Sequence, residues 1–196
     1  MTIKPMSGKT SITSEEINEL PLRAFEGKVV VISEAARLDT AFEEINTHPH
    51  IGFDTETKPV FVRGHRNKVA ILQVALPEKV FLIRLLATEL STEIVHFLQN
   101  ENILKAGVAI RDDIKALQHL KKFHPAGFVE LAQLAREAGL EVESVKKLTA
   151  VLLGFRISKS AQTSNWEAEQ LNEKQISYAA TDAWVCLEIY KRLRGL

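Results

Sequence analysis

Apolar residues follow two rhythms along this chain. Lys28-Val-Val-Val-Ile32 and residues 50–56, 68–76 and 79–83 are short, rich in β-branched residues, and predict strands. The turn signal Leu76-Pro-Glu separates the last two. Elsewhere apolar positions recur every three or four residues. Leu38, Phe42 and Ile45 share one face of a helix expected over about 34–46. Further helices are expected near 91–100, 111–121, 127–138, 144–153 and 172–193, with one more strand at 103–109. Thr13-Ser-Glu-Glu16 has the spacing of a capping box opening a short helix that Pro21 ends. Gly139 and Gly154 stand where C-terminal caps belong. Strands early and helices late predict an α/β fold, a mixed sheet flanked by helices.

Composition narrows the class. A chain of 196 residues with 45% hydrophobic and 26% charged residues fits one globular domain with a sizeable core. The 25 basic residues balance the 25 acidic ones, which argues against gripping nucleic acid through overall charge but not against a local basic groove. The single cysteine, Cys186, excludes an internal disulfide and a multi-cysteine zinc site, and it reads as a small buried apolar residue. No stretch has signal-peptide or membrane-span character, so no membrane partner and a cytoplasmic location are expected.

Carboxylates then change the picture. In Ile51-Gly-Phe-Asp-Thr-Glu-Thr57 a buried-looking strand carries Asp54 and Glu56 two residues apart, hence on one face, with Phe53 and Thr55 opposite. Two such acids repel and are costly to bury unpaired, so a basic side chain or a metal ion must answer them. Asp112 and Asp113 lie where a strand gives way to a helix, and Tyr178 and Asp182 lie four apart on the last helix among alanines. Each alone has a plainer reading: an edge decoration, a helix cap, a core hydroxyl beside a surface charge. Together they describe an oxygen-only cage suited to a hard cation such as Mg²⁺ or Mn²⁺. Between the adjacent aspartates, Asp113 shares its helix face with Leu117 and Leu120 and looks inward. Asp112 shares its face with Lys115 and His119 and suits a cap.

The order Phe53-Asp-Thr-Glu56, Gly107-Val-x-Ile-x-x-Asp113, Tyr178-x-x-x-Asp182 resembles the three motifs of the DEDDy 3′–5′ exonucleases. It is most similar to the Werner-syndrome-type exonuclease domain and more distantly to ribonuclease D. The resemblance extends from about Lys28 to Arg194, through Lys68-Val-Ala-Ile-Leu-Gln-Val74 and Ser164-Asn-Trp166. Ser177, where the histidine subclass carries its histidine, selects the tyrosine subclass. The resemblance implies a ribonuclease H-like fold over residues 28–196, with residues 1–27 an unassigned extension and no helicase or ribonuclease D-type C-terminal domain. It implies two Mg²⁺ or Mn²⁺ ions about 3.5–4 Å apart, with the scissile phosphate between them. Asp54 would bridge both ions, Glu56 and Asp182 would complete the nucleophile-side ion, and Asp113 would hold the other. Tyr178 would orient the attacking water. With an ordinary pKa near 10 it is a poor base.

For the substrate, the 3′ end of DNA or RNA, the expected contacts are Thr55, Arg63, Arg66, Lys68 and Trp166. Arg63, Arg66 and Lys68 fall in a basic cluster just after the first motif, and Trp166 could stack on a base. Lys146, Lys147, Arg156 and Lys159 could extend the groove. The expected activity is release of nucleoside 5′-monophosphates from the 3′ end. Its rivals are a ribonuclease D-like trimming enzyme and a non-cleaving binding module derived from a nuclease.

Overall fold

The computed structural model describes residues 9–60 and 67–196. Six strands form one sheet: β1 (Lys28–Ile32), β2 (His50–Thr57), β3 (Val69–Ala75), β4 (Lys79–Arg84), β5 (Leu104–Gly107) and β6 (Phe128–Glu130). Their spatial order is β1-β4-β3-β2-β5-β6. β3 runs antiparallel to β2 and β4, and the remaining pairings are parallel, so the sheet is mixed as expected. All seven β3 residues are buried, as a run apolar at every position but Gln73 in a strand covered on both faces should be.

The helices are α1 (Ser14–Glu19), α2 (Leu38–Ile45), α3 (Leu85–Thr88), α4 (Thr92–Gln99), α5 (Ile110–Leu120), α6 (Leu131–Glu137), α7 (Val145–Leu153) and α8 (Glu173–Arg194). Strand alternation sorts the core. Ile51, Phe53, Val74, Phe81 and Ile83 meet Phe42, Phe97 and Leu117 of α2, α4 and α5 on one face. Ala70, Ile71, Val80 and Leu82 face α8 on the other, where α6 and α7 pack beside it.

The long helix α8 lies close over β2 because the facing residues are small. Ala179, Ala180 and Ala183 are fully buried, and a Cβ on Gly52 would come 1.9 Å from the Ala183 carbonyl oxygen. That approach sets the depth of every α8 side chain against the strand.

Local signals hold in detail. The Thr13–Glu16 capping box forms, and Gly139 and Gly154 adopt the left-handed conformation just past α6 and α7. The helix expected over 127–138 is instead a three-residue strand followed by α6. Phe128-Val-Glu130 is too short to show a period, and its pairing with β5 comes from the neighbouring strand. α2 is preceded by a 3-10 turn at Ala35–Arg37, and α3 is an element the apolar pattern does not predict.

Candidate active site

The carboxylates gather at the C-terminal end of β2. Asp54, Glu56 and Asp182 each present an oxygen within 4.8 Å of the others. Asp113 comes from the opposite face of the sheet. The Thr55 hydroxyl, pointing that way, donates to Asp113 Oδ1 at 2.6 Å, and the Thr55 N–H donates to Asp54 Oδ1 at 2.9 Å. Thr55 thus joins the two groups of acids across the strand. Tyr178 lies half-buried one turn before Asp182.

The start of α5 places Asp113. Ala109, the residue before the helix, takes φ 59° and offers no side-chain cap. The capping acceptor comes from another strand: Glu130 Oε2 accepts from the Ile110 N–H at 3.1 Å, and its Oε1 accepts from the Ala132 N–H at 3.1 Å. One carboxylate therefore satisfies orphan donors of both α5 and α6. That corrects the expectation for Asp112, whose side chain is 86% exposed and only 3.8 Å from Lys115. Its inward neighbour Asp113 is half-buried, as the helix register predicts.

The placement of α8 rests on two contacts besides the alanine packing. Asn172 and Gln175 form a capping box, and Gln73, directly across β3 from Asp54, donates its amide to the Ala179 carbonyl at 3.0 Å.

Burial dominates the electrostatics. It raises Asp54 well above its ordinary range, reinforced by the charges of Asp182, Asp113 and Glu56. Burial, then Asp182 and Asp113, push Glu56 up to about 9. Asp182 is pushed up to about 7 by burial, with the Tyr178 hydroxyl pulling the other way. Asp113 rises to about 6, again from burial, partly offset by the Thr55 hydrogen bond. Tyr178 is raised by burial and by the neighbouring acids, so its hydroxyl keeps its proton. Among the described residues no basic side chain pairs with any of these acids. A set of desolvated oxygens without a cation fits a hard divalent ion, which takes oxygen ligands and would restore the charged forms.

The expected substrate contacts fare differently. Arg63 and Arg66 lie outside the described residues. Lys68 is exposed on the α5 side, lining a hollow with Lys115 and His119. Trp166 is a correction: it is fully buried in the α8 core, where no base can reach its face, and its ring packs 6.0 Å from that of Tyr178. Ser164-Asn-Trp166 is apolar at only one position, so the sequence could not tell a support from a platform. Arg156 is also committed elsewhere, its Nε donating to the Leu20 carbonyl at 3.0 Å. Glu130 is the site residue the sequence does not reveal: its cap on α6 is local, but its cap on α5 depends on the β5–β6 pairing.

The family model described as 3′-5′ exonuclease matches residues 29–196. This chain belongs to that family. It is 33% identical over 189 residues to the mouse bifunctional 3′-5′ exonuclease/ATP-dependent helicase WRN, covering 91% of this chain and 14% of WRN. The likeness thus concerns one segment of a much longer protein. The Aedes aegypti Nibbler EXO domain is a structural neighbour with a TM-score of 0.75 at 26% identity, covering 89% of this chain and 91% of that one. Escherichia coli RNase D, an exoribonuclease involved in structured RNA processing, shares the fold with a TM-score of 0.77 at 24% identity, covering 86% of this chain and 44% of RNase D. The fold is ribonuclease H-like, and among the described residues no helix is long and apolar enough to cross a membrane.

Proposed function

We propose that this exonuclease-family chain is a divalent-metal-dependent 3′–5′ exonuclease that hydrolyses DNA or RNA from the 3′ end to nucleoside 5′-monophosphates, with residues 28–196 as the catalytic unit. The observation that carries the reading is the trio Asp54, Glu56 and Asp182, desolvated within 4.8 Å of one another and without a cationic partner among the described residues. Asp54, Glu56 and Asp182 would hold one Mg²⁺ or Mn²⁺. Asp113, reached through Thr55, would hold the second with Asp54 as the shared ligand. When bound, these ions supply charge neutralisation at the phosphate and a lower pKa for the attacking water.

The protein's own groups do the positioning. Tyr178, kept protonated, orients water by hydrogen bonding rather than by taking its proton. Trp166 backs the Tyr178 ring, and Thr55 holds the Asp113 carboxylate in place.

The test is a time course on 5′-labelled single-stranded DNA, recessed duplex DNA and RNA, in Mn²⁺, Mg²⁺ or EDTA. A descending ladder that needs the ion supports the reading, and the preferred polymer separates a DNA enzyme from an RNA-trimming one. Internal cuts, or full activity in EDTA, refute it. Binding without cleavage in either ion leaves a binding module.

A further inference from the structure

Residues 9–27 precede the family-matched region, yet the last part of this segment is bonded into it. The Arg23 N–H donates to the Arg156 carbonyl at 2.9 Å, and the Arg156 N–H donates to the Pro21 carbonyl at 2.9 Å. The Phe25 N–H donates to Thr181 Oγ1 at 3.0 Å, between Tyr178 and Asp182 on α8. Phe25 packs on Trp184 with ring centroids 5.8 Å apart, and Trp184 stacks on Phe155 at 5.9 Å. The Arg23 guanidinium lies 5.7 Å over the other end of this stack, at the Phe155 ring. Both its backbone and its head group are therefore located, although the side chain is exposed and forms no ion pair among the described residues.

A hollow of about 210 Å³ opens there, lined by Arg23, Ser158, Ser160, Lys174, Ser177 and Tyr178. Glu173 is the one acid lining it, against the two cations. Lys174, Tyr178 and Asp182 stand four apart on α8, so they form one stripe running from the hollow to the carboxylates. Two helical turns, about 12 Å, separate its ends. The volume is below the roughly 300 Å³ of a small-molecule pocket, and the two cations and the hydroxyls of Ser158, Ser160 and Ser177 are set in a wall that is otherwise more apolar than polar. That chemistry suits a phosphate of a strand rather than a whole free nucleotide.

We propose that this hollow is a subsite for the phosphate backbone of the substrate strand beyond the scissile bond, completed by Arg23 from the N-terminal segment. The proposal rests on the exonuclease reading for the strand's identity. It assigns residues 20–27 a place in the substrate channel: they carry a guanidinium to the site and brace the helix that bears Tyr178 and Asp182. A planar, pre-positioned guanidinium beside an ammonium group is what phosphate recognition uses.

The test pairs the double variant Arg23→Gln, Lys174→Gln with the wild-type chain. Binding of a fluorescent twelve-nucleotide strand, read by anisotropy in EDTA, reports the subsite without any cleavage. Losing two phosphate contacts should weaken binding about tenfold and flatten the slope of log K against log salt by about 1.4. In Mn²⁺, kcat/KM on the same strand should fall about fivefold or more relative to an unphosphorylated dinucleotide, whose one phosphate is the scissile one. Arg23→Lys, which keeps the charge, should recover part of the loss. An unchanged slope and affinity in a variant with wild-type melting temperature overturns the subsite, as does failure of the wild-type chain to bind the strand. A wild-type chain that binds but cleaves neither substrate refutes the exonuclease reading instead, and the anisotropy result on the hollow stands.

Discussion

Asp182→Asn should remove part of the pH dependence of stability in the metal-free protein. Asp182 is 9% exposed, and burial lifts its carboxyl from an ordinary value of 3.8 to about 7. A carboxyl whose folded pKa exceeds its unfolded one binds protons more tightly in the native state. Its stabilising contribution is complete below about pH 4 and is lost as pH rises toward 7. Inside that window the loss is about 1.4 kcal/mol per pH unit, easing to half that at pH 7, so from pH 5 to pH 7 Asp182 contributes about 2 kcal/mol. With about 2.1 cal/mol/K of unfolding entropy per residue over 196 residues, the melting temperature should drop by about 5 °C. Asp54, Glu56 and Asp113, also raised by burial, act in the same direction. Asparagine keeps the volume of Asp182 but does not titrate. The assay is scanning calorimetry in EDTA at constant ionic strength, at half-unit steps from pH 5 to pH 7.5, for both proteins. Removing the Asp182 charge also eases Asp54 and Glu56, so their relief adds to the difference in the same direction. Added Mn²⁺ should erase most of the wild-type decline, because the ion binds only the folded, ionised cluster. Parallel curves for the two proteins in EDTA would refute the claim that Asp182 is held protonated by burial, and with it the charge argument for a metal centre.

Asp113→Asn should lower metal affinity and cleavage severely, while Asp112→Asn, at an exposed ion pair worth under about 1 kcal/mol, should be nearly silent in calorimetric Mn²⁺ titration and in turnover. Asp54→Ala should abolish turnover yet leave the metal-free melting temperature unchanged or raised, because it relieves repulsion with Asp182, Asp113 and Glu56; a collapse would make Asp54 structural. Tyr178→Phe should slow cleavage with Mn²⁺ affinity retained, and unchanged kcat would remove the hydroxyl from the mechanism. Gly52→Ala should destabilise by about 3 kcal/mol in urea unfolding, because the new methyl meets the Ala183 carbonyl of α8; a loss below about 0.5 kcal/mol would show that α8 can move off the strand freely.

Local periodicity was enough for most of the secondary structure and for the pairing of Asp54 with Glu56 on one face, because side-chain direction in a strand or helix follows from residue count alone. The same count separated Asp113 from Asp112, and the structure has the first half-buried and the second in solvent. The sequence also carried the family motifs, since each lies within a few consecutive residues. What it could not carry was any contact between distant segments. Trp166 looked available because its neighbours are polar, and only the packing of its loop beneath α8 buries it. Lys105 passes for a surface charge in sequence, yet it is fully buried, its Nζ donating to the carbonyls of Asn100, Ile103 and Ala126 at 2.7, 2.9 and 3.0 Å. Glu130 caps α5 only because β6 lies beside β5, and the N-terminal segment meets α8 through the Phe25 contacts with Thr181 and Trp184, and the loop after α7 through Arg156. Side-chain direction within an element is set by local geometry, whereas desolvation and hydrogen-bond partners are set by what folds against it.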